Sequence, residues 1–169
     1  MSITINNEKD FFIKEFTKRT LYNYENYNGN YETTHLINSL IGLLVIPKEK
    51  HFNSIENNWL DNNTLMALQN CIKLNSYNDP LQNTNILRFI ITHLRNAISH
   101  GNITINGTKE NVSPNMMTIA SIKFYDENCY SKNRTEKFEI EIEVELLEKF
   151  ILEFANSLLQ KGKQDANQS

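Results

Sequence analysis

The sequence is poor in the residues that interrupt or cross-link a chain. It has 5 glycines and 3 prolines in 169 residues, which argues against long linkers and against an all-β fold rich in turns. Cys71 and Cys129 form no CxxC pair and have no histidine nearby at metal-ligand spacing. We therefore expect two reduced thiols in a cytosolic protein, with no metal and no cofactor.

Long apolar segments are also lacking. The longest apolar stretch, residues 36–46, contains Asn38 and Ser39 and is too short to cross a bilayer. The first residues do not combine a basic segment with an apolar one, so no secretory signal is expected. These features predict a cytoplasmic protein that does not interact with a membrane.

An excess of positive charge is absent as well. The formal net charge is −3, which excludes a protein that coats nucleic acid through bulk charge. Residues 1–100 hold nine basic and nine acidic side chains, whereas residues 101–169 hold eight and eleven. A polyanion is therefore expected to meet the first part of the chain, at a local patch.

Helical periodicity is the strongest pattern that is present. Four stretches have the apolar spacing of helices that bury one face: 8–27, 31–46, about 84–100 and about 145–160. The second is apolar nearly all round, and Pro47 marks its end. Thr84 or Asn85 is expected to cap the third, and Gly101 to stop it.

Two later segments, 117–125 and 137–145, alternate apolar and polar residues and are predicted to be strands. Asn106-Gly107, which follows Ile103 and Ile105, predicts a hairpin-like turn. The second strand carries a row of glutamates, expected to form a solvated face: Glu139, Glu141, Glu143 and Glu145. Residues 48–83 are less clear: Leu60 to Leu74 has moderate helical spacing, and the packing of the stretch is not predicted.

Together these patterns predict a mainly α fold. It is expected to be a helical bundle with a small antiparallel sheet or hairpin at about 102–145, before the last helix. The chain length suits one domain, at 1–161, followed by a polar, disordered tail at 162–169.

The end of the third helix carries the residues best suited to chemistry. Arg95 and His100 lie about 140° apart on a regular helix, so they converge only if the helix loosens at Gly101 or a second subunit supplies the partner group. Such a set suits a phosphate, since arginine offers a fork of donors and histidine exchanges a proton near neutral pH. Asn96 adds a neutral hydrogen bond.

Spacing alone leaves a second interpretation open. Arg88 and His93 have the same spacing as Arg95 and His100, and both pairs would also suit a solvated helix face. The later pair is preferred because it reaches a helix end and because Asn96 follows the arginine. Of the remaining histidines, His35 is expected to be a hydrogen-bonded core residue.

The segment Arg95-Asn96-Ala97-Ile98-Ser99-His100 resembles the R-x(4–6)-H signature of the HEPN superfamily, where a polar residue often follows the arginine. Other segments resemble a bacterial and plasmid-borne branch of predicted HEPN nucleases, and together they span most of residues 10–160: Arg19-Thr20-Leu21, Tyr31-Glu32, Leu36 to Pro47, and His93-Leu94.

The resemblance implies a helical bundle that dimerises with two motifs facing each other. It implies metal-independent cleavage of RNA, in which Arg95 stabilises the phosphorane, His100 is general base or acid, and Asn96 is an auxiliary polar group. Candidate RNA contacts are Lys14, Lys18, Arg19 and Arg88.

Many proteins of this superfamily are toxins or act in phage defence, so an antitoxin or regulatory partner is a further expectation. Some of these toxins carry a tyrosine two places after the histidine, which a partner enzyme modifies; here that place holds Asn102. Two alternatives remain. One is a non-catalytic HEPN domain that dimerises and binds a nucleotide, an RNA or a protein, and the other is a helical interaction protein with an incidental motif.

Overall fold

The computed structural model describes residues 3–29, 32–45, 52–109, 117–128 and 135–164. The helices of these residues are α1 Ile3–Glu25, α2 Glu32–Val45, α3 Asn62–Asn70, α4 Leu81–Thr84, α5 Ile86–Ser99 and α6 Val144–Gln164, with 3₁₀ turns at Phe52–Ser54 and Asn57–Trp59. The strands are β1 Ile72–Asn75, β2 Ile103–Lys109, β3 Met117–Asn128 and β4 Glu136–Glu143.

The strands form one antiparallel sheet in the order β1-β4-β3-β2. Alternate side chains of β3 and β4, such as Phe124, Phe138 and Ile140, are fully buried. Helix α5 packs on β3, and α2 lies against both α5 and α6. The core is therefore enclosed between the sheet and the helices, and α5 lies at its centre.

The prediction of a mainly α bundle with a small antiparallel sheet or hairpin at about 102–145 was wrong, because the fold is mixed α and β with a four-stranded sheet. The missing element was β1, which precedes α5 and pairs with β4, so that Ile72 lies opposite Ile140. Strand β1 has only four residues, of which three are exposed, so it shows no buried face that alternation would reveal.

The predicted turn at Asn106-Gly107 was also wrong. Both residues lie inside β2, at a point where the register with β3 shifts. The Asn106 amide donates to Glu141 Oε1 at 2.9 Å, and the Ser121 hydroxyl donates to the same oxygen at 2.6 Å. On the glutamate face of β4, Glu141 is therefore hydrogen-bonded to residues of β2 and β3 and is not simply solvated.

The four long helices agree with the periodicity of the sequence. Asn85 caps α5 as predicted, since its side-chain oxygen accepts from the Arg88 N–H at 3.0 Å. His35 is half-buried, and its Nε2 lies 3.0 Å from the carbonyl oxygen of Asn23. Helix α6 ends at Gln164, and residues 165–169 lie outside the described residues, as does Cys129. The domain boundary stays a prediction.

No helix in the described ranges is both long enough and apolar enough to cross a membrane.

Candidate active site

Helix α5 ends in a well-defined capping motif. Gly101 has a φ of +70°, a left-handed conformation that glycine adopts without steric cost. Its N–H donates to the Ile98 carbonyl at 3.1 Å, and the Asn102 N–H donates to the Ala97 carbonyl at 2.8 Å. These two bonds form the Schellman arrangement, which satisfies carbonyls at a helix end. The motif fixes the end of the helix at His100.

The buried face of α5 contains mostly apolar side chains: Leu87, Phe89, Ile90, Ile91, Leu94 and Ala97. The opposite side carries half-buried Arg88 and Arg95 and exposed Ser99. The spacing of the Arg88–His93 pair would also suit a solvated helix face, but His93 is only 3% exposed and belongs to the buried face. The two Arg–His pairs of α5 therefore differ sharply in how accessible their histidines are.

The side chains of Arg95 and His100 differ from those of Arg88 and His93 in their polar contacts. The Cζ atom of Arg95 lies 5.1 Å from the centroid of the Phe52 ring, which is cation–π geometry. The His100 side chain is exposed. Within the described part of the chain, neither side chain forms a hydrogen bond or an ion pair. Their donors and acceptors are thus free for a ligand, although the structure brings them into no direct contact with each other.

The other candidates on α5 are already engaged. The Arg88 guanidinium donates to the Asn53 carbonyl at 3.0 Å. The Asn96 amide donates to Asp126 Oδ2 at 3.1 Å, so it faces β3 rather than the open end of the helix. Asn96 therefore helps to hold α5 against β3 and does not point toward Arg95 and His100.

A polar cluster, here called the Asp126 cluster, anchors α5 to the sheet through buried His93 and Asp126 and half-buried Tyr77 and Asn96. Asp126 Oδ2 accepts from His93 Nδ1 at 2.6 Å and, more weakly, from the Tyr77 hydroxyl at 3.4 Å. The His93 ring also packs against Tyr77 and against two core phenylalanines, Phe89 and Phe138. Its Nε2 is buried and has no hydrogen-bond partner among the described residues.

The charge state of the Asp126 cluster follows from these contacts. Burial alone would raise the pKa of the Asp126 carboxyl, but hydrogen bonds from His93 and Asn96 outweigh burial and lower that pKa. Burial, and then the negative charge of Asp126, raises the pKa of the Tyr77 hydroxyl. Asp126 is therefore an acceptor and Tyr77 a donor at neutral pH.

Sequence reasoning missed Asp126, although a signal was present. Residues 122, 124 and 126 alternate along β3, and all three are buried. An acid that shares the inward face with Ile122 and Phe124 needs a buried partner. The Arg88–His93 pair of the helix supplies that partner through His93.

The predicted contacts of α1 lie on a different part of the fold. Helix α1 packs mainly on α6 and α2, whereas α5 packs on β3 and α2. Lys18 forms an ion pair with Glu15 at 2.9 Å, which lowers the pKa of the Glu15 carboxyl, and Arg19 is exposed. Lys14 is half-buried on the same helix, so all three predicted cations lie on a helix that packs mainly on α6 and α2 rather than on α5.

No group of three histidine, cysteine, aspartate or glutamate side chains in the described ranges is arranged to hold a metal ion.

Comparison with known proteins supports the resemblance noted in the sequence. The model of a protein family described as HEPN pEK499 p136 matches residues 1–165. The chain therefore belongs to the HEPN pEK499 p136 family. No curated protein and no solved structure gives a significant match.

Proposed function

We propose that this protein is a metal-independent endoribonuclease whose site is formed by Arg95 and His100. The observation that carries the proposal is the contrast between the two Arg–His pairs of α5. In the first pair, Arg88 is bound to the Asn53 carbonyl and His93 is buried against Asp126. In the second pair, both side chains lack polar partners among the described residues, and His100 is exposed at a helix end.

The proposed reaction is attack of the ribose 2′-hydroxyl on the adjacent phosphorus. His100 takes the 2′-hydroxyl proton while the new bond from O2′ to phosphorus forms. The bond from phosphorus to O5′ then breaks, and a second acid returns a proton to the leaving oxygen. The products are a 2′,3′-cyclic phosphate and a 5′-hydroxyl. Arg95 would stabilise the charge of the phosphorane, an effect of roughly 3–4 kcal/mol for a donor of this kind.

The proposed site is completed by a second copy of the chain. His100 keeps right-handed helical backbone angles, and its N–H donates to the Asn96 carbonyl at 3.0 Å. The helix does not loosen before His100, so Arg95 and His100 stay about 140° apart around its axis. Of the two routes to convergence, this favours a homodimer in which two α5 ends face each other. The second copy of His100 then supplies the leaving-group proton.

The proposed substrate is single-stranded RNA. The phosphate backbone would run from the α5 ends toward Arg88 and the cations of α1, namely Lys14, Lys18 and Arg19. It would avoid the glutamate face of β4, where Glu139 and Glu141 repel phosphate. A toxin or phage-defence effector in the cytoplasm, held in check by an antitoxin or regulatory protein, is the cellular role that this activity suits.

The proposal is tested by incubating purified protein with total RNA in EDTA. We expect cleavage by the natural protein, and only a small loss for Arg88→Ala, because the proposal places Arg88 on the RNA path and not at the reacting phosphate. His100→Ala and Arg95→Ala are each expected to reduce the rate at least about a hundredfold while remaining folded. If no RNA is cut under any condition, the protein is better described as a non-catalytic HEPN domain that binds a partner.

A further inference from the structure

Residues 52–57, which precede α3, lie beside the first turn of α5 and are joined to it by three hydrogen bonds. The Asn85 amide donates to the Ile55 carbonyl at 2.5 Å, and the Leu87 N–H donates to Asn57 Oδ1 at 3.1 Å. At the next residue, the Arg88 guanidinium donates to the Asn53 carbonyl at 3.0 Å. We call residues 52–57 the α5 strap. Its fastening places the half-buried ring of Phe52 against Arg95.

The choice of an aromatic ring at this position has a chemical consequence. A carboxylate would hold Arg95 more firmly, but it would neutralise the guanidinium and occupy the N–H donors that a phosphate needs. A carbonyl, such as the one that holds Arg88, would also occupy a donor. The face of a phenylalanine ring attracts the cation through its quadrupole and has no lone pair to accept those hydrogen bonds.

We propose that Phe52 is a positioning residue for Arg95. Its ring holds the guanidinium at the end of α5 with its charge uncompensated and its donors free for the scissile phosphate. This inference rests on the proposed function of Arg95. It assigns to the α5 strap a role beyond covering the helix, namely to hold the side chain that meets the transition state.

The proposal predicts that activity depends on the electrons of the ring and not only on its volume. Phenylalanine analogues with increasing ring fluorination keep nearly the same shape while weakening the quadrupole. We expect kcat to fall progressively along this series, with KM nearly unchanged. The total decrease should be about two- to fivefold, which corresponds to the 0.5–1 kcal/mol of a cation–π contact at an accessible site. Phe52→Trp should retain activity, and Phe52→Leu should lose at least as much as the most fluorinated analogue.

A double-mutant cycle supplies the control. The same fluorinated series in an Arg95→Ala background, measured under single-turnover conditions, should be flat, because the ring then has no cation to hold. Urea unfolding of each variant checks that stability stays constant. A flat series in the natural background would mean that Phe52 only fills space, and a rising series would mean that the ring keeps Arg95 away from phosphate. Either result would overturn the proposal.

A second readout separates this proposal from the proposed function. Affinity for a single-stranded oligonucleotide built only from 2′-deoxyribose, which this mechanism cannot cleave, is measured across the same fluorinated series, together with the NMR shift of the Arg95 Hε proton. If the natural protein cuts no RNA but the Arg95 shift still changes along the series, the nuclease proposal fails and the positioning of Arg95 by Phe52 stands. If neither affinity nor the Arg95 shift responds, the positioning role fails on its own.

Discussion

Asp126 Oδ2 lies 2.6 Å from His93 Nδ1, and both side chains are at most 5% exposed. This pair joins β3 to α5 at the level of Asn96, which bonds to the same carboxylate. Because Arg95 precedes Asn96 and His100 follows one turn later, the pair fixes the rotation of the helix that presents both. A buried histidine thereby supports the helix that carries Arg95 and His100, the pair proposed to meet RNA.

We expect His93→Ala to lower the free energy of unfolding by about 3 kcal/mol, because it removes a buried partner of an ionised carboxylate and leaves a cavity among aromatic rings. His100→Ala is the matched control, since His100 is exposed and should change stability by less than about 0.5 kcal/mol. Urea denaturation of both variants provides the comparison. Equal stability of the two variants would contradict a structural role for the Asp126 cluster.

The lowered pKa of Asp126 predicts a dependence of stability on acid pH. In the folded protein this carboxyl stays ionised below its ordinary pKa of 3.8, so the folded state binds fewer protons than the unfolded state. The resulting stabilisation is fully present above the ordinary pKa and is lost as pH falls through the lower, folded value.

Asp126→Asn is therefore expected to be less stable than the natural protein at neutral pH, with a difference that shrinks below about pH 4. Chemical denaturation at a series of pH values measures it. A difference that stays constant down to pH 3 would show that the charge of Asp126 contributes little.

The capping motif of α5 gives a test that separates backbone conformation from packing. A methyl group on Gly101 would meet no atom within 4 Å, so Gly101→Ala introduces no clash. Its φ of +70° should nevertheless cost about 1–2 kcal/mol and shift the end of the helix, with a loss of RNA cleavage. Gly101→Asn should lose less stability and less RNA cleavage than Gly101→Ala, since asparagine tolerates left-handed angles. Equal effects of the two substitutions would mean that the left-handed backbone is not what matters.

The position and length of α5 could be predicted from the sequence, because its apolar residues recur at helical spacing and its capping residues directly flank it. The Asn85 cap and the Gly101 stop follow from local chemistry. Strand β1 could not be predicted, since its four residues gain their structure by pairing with β4, which lies far along the chain. The same holds for the contact between Phe52 and Arg95, because nothing local to either residue specifies the other.

Mixing natural and variant subunits tests the proposed dimer. If both copies of His100 act at one site, a dimer of one natural and one His100→Ala subunit lacks the second histidine and should be nearly inactive. Equal mixing after dissociation should then leave about a quarter of natural activity, because only a quarter of the dimers hold two natural subunits. The same mixture without dissociation is the control and should keep about half. About half of natural activity after verified subunit exchange would place the whole site in one subunit.

The most direct test of the central claim is the fate of one phosphodiester bond in EDTA. An RNA with a mapped cleavage site is compared with the same RNA that carries a single 2′-deoxyribose just before that bond. We predict that the all-ribose strand is cut to a 2′,3′-cyclic phosphate and that the substituted strand resists at that bond alone. Equal cleavage of the two strands, or a product without the cyclic phosphate, would contradict a mechanism in which His100 activates the 2′-hydroxyl.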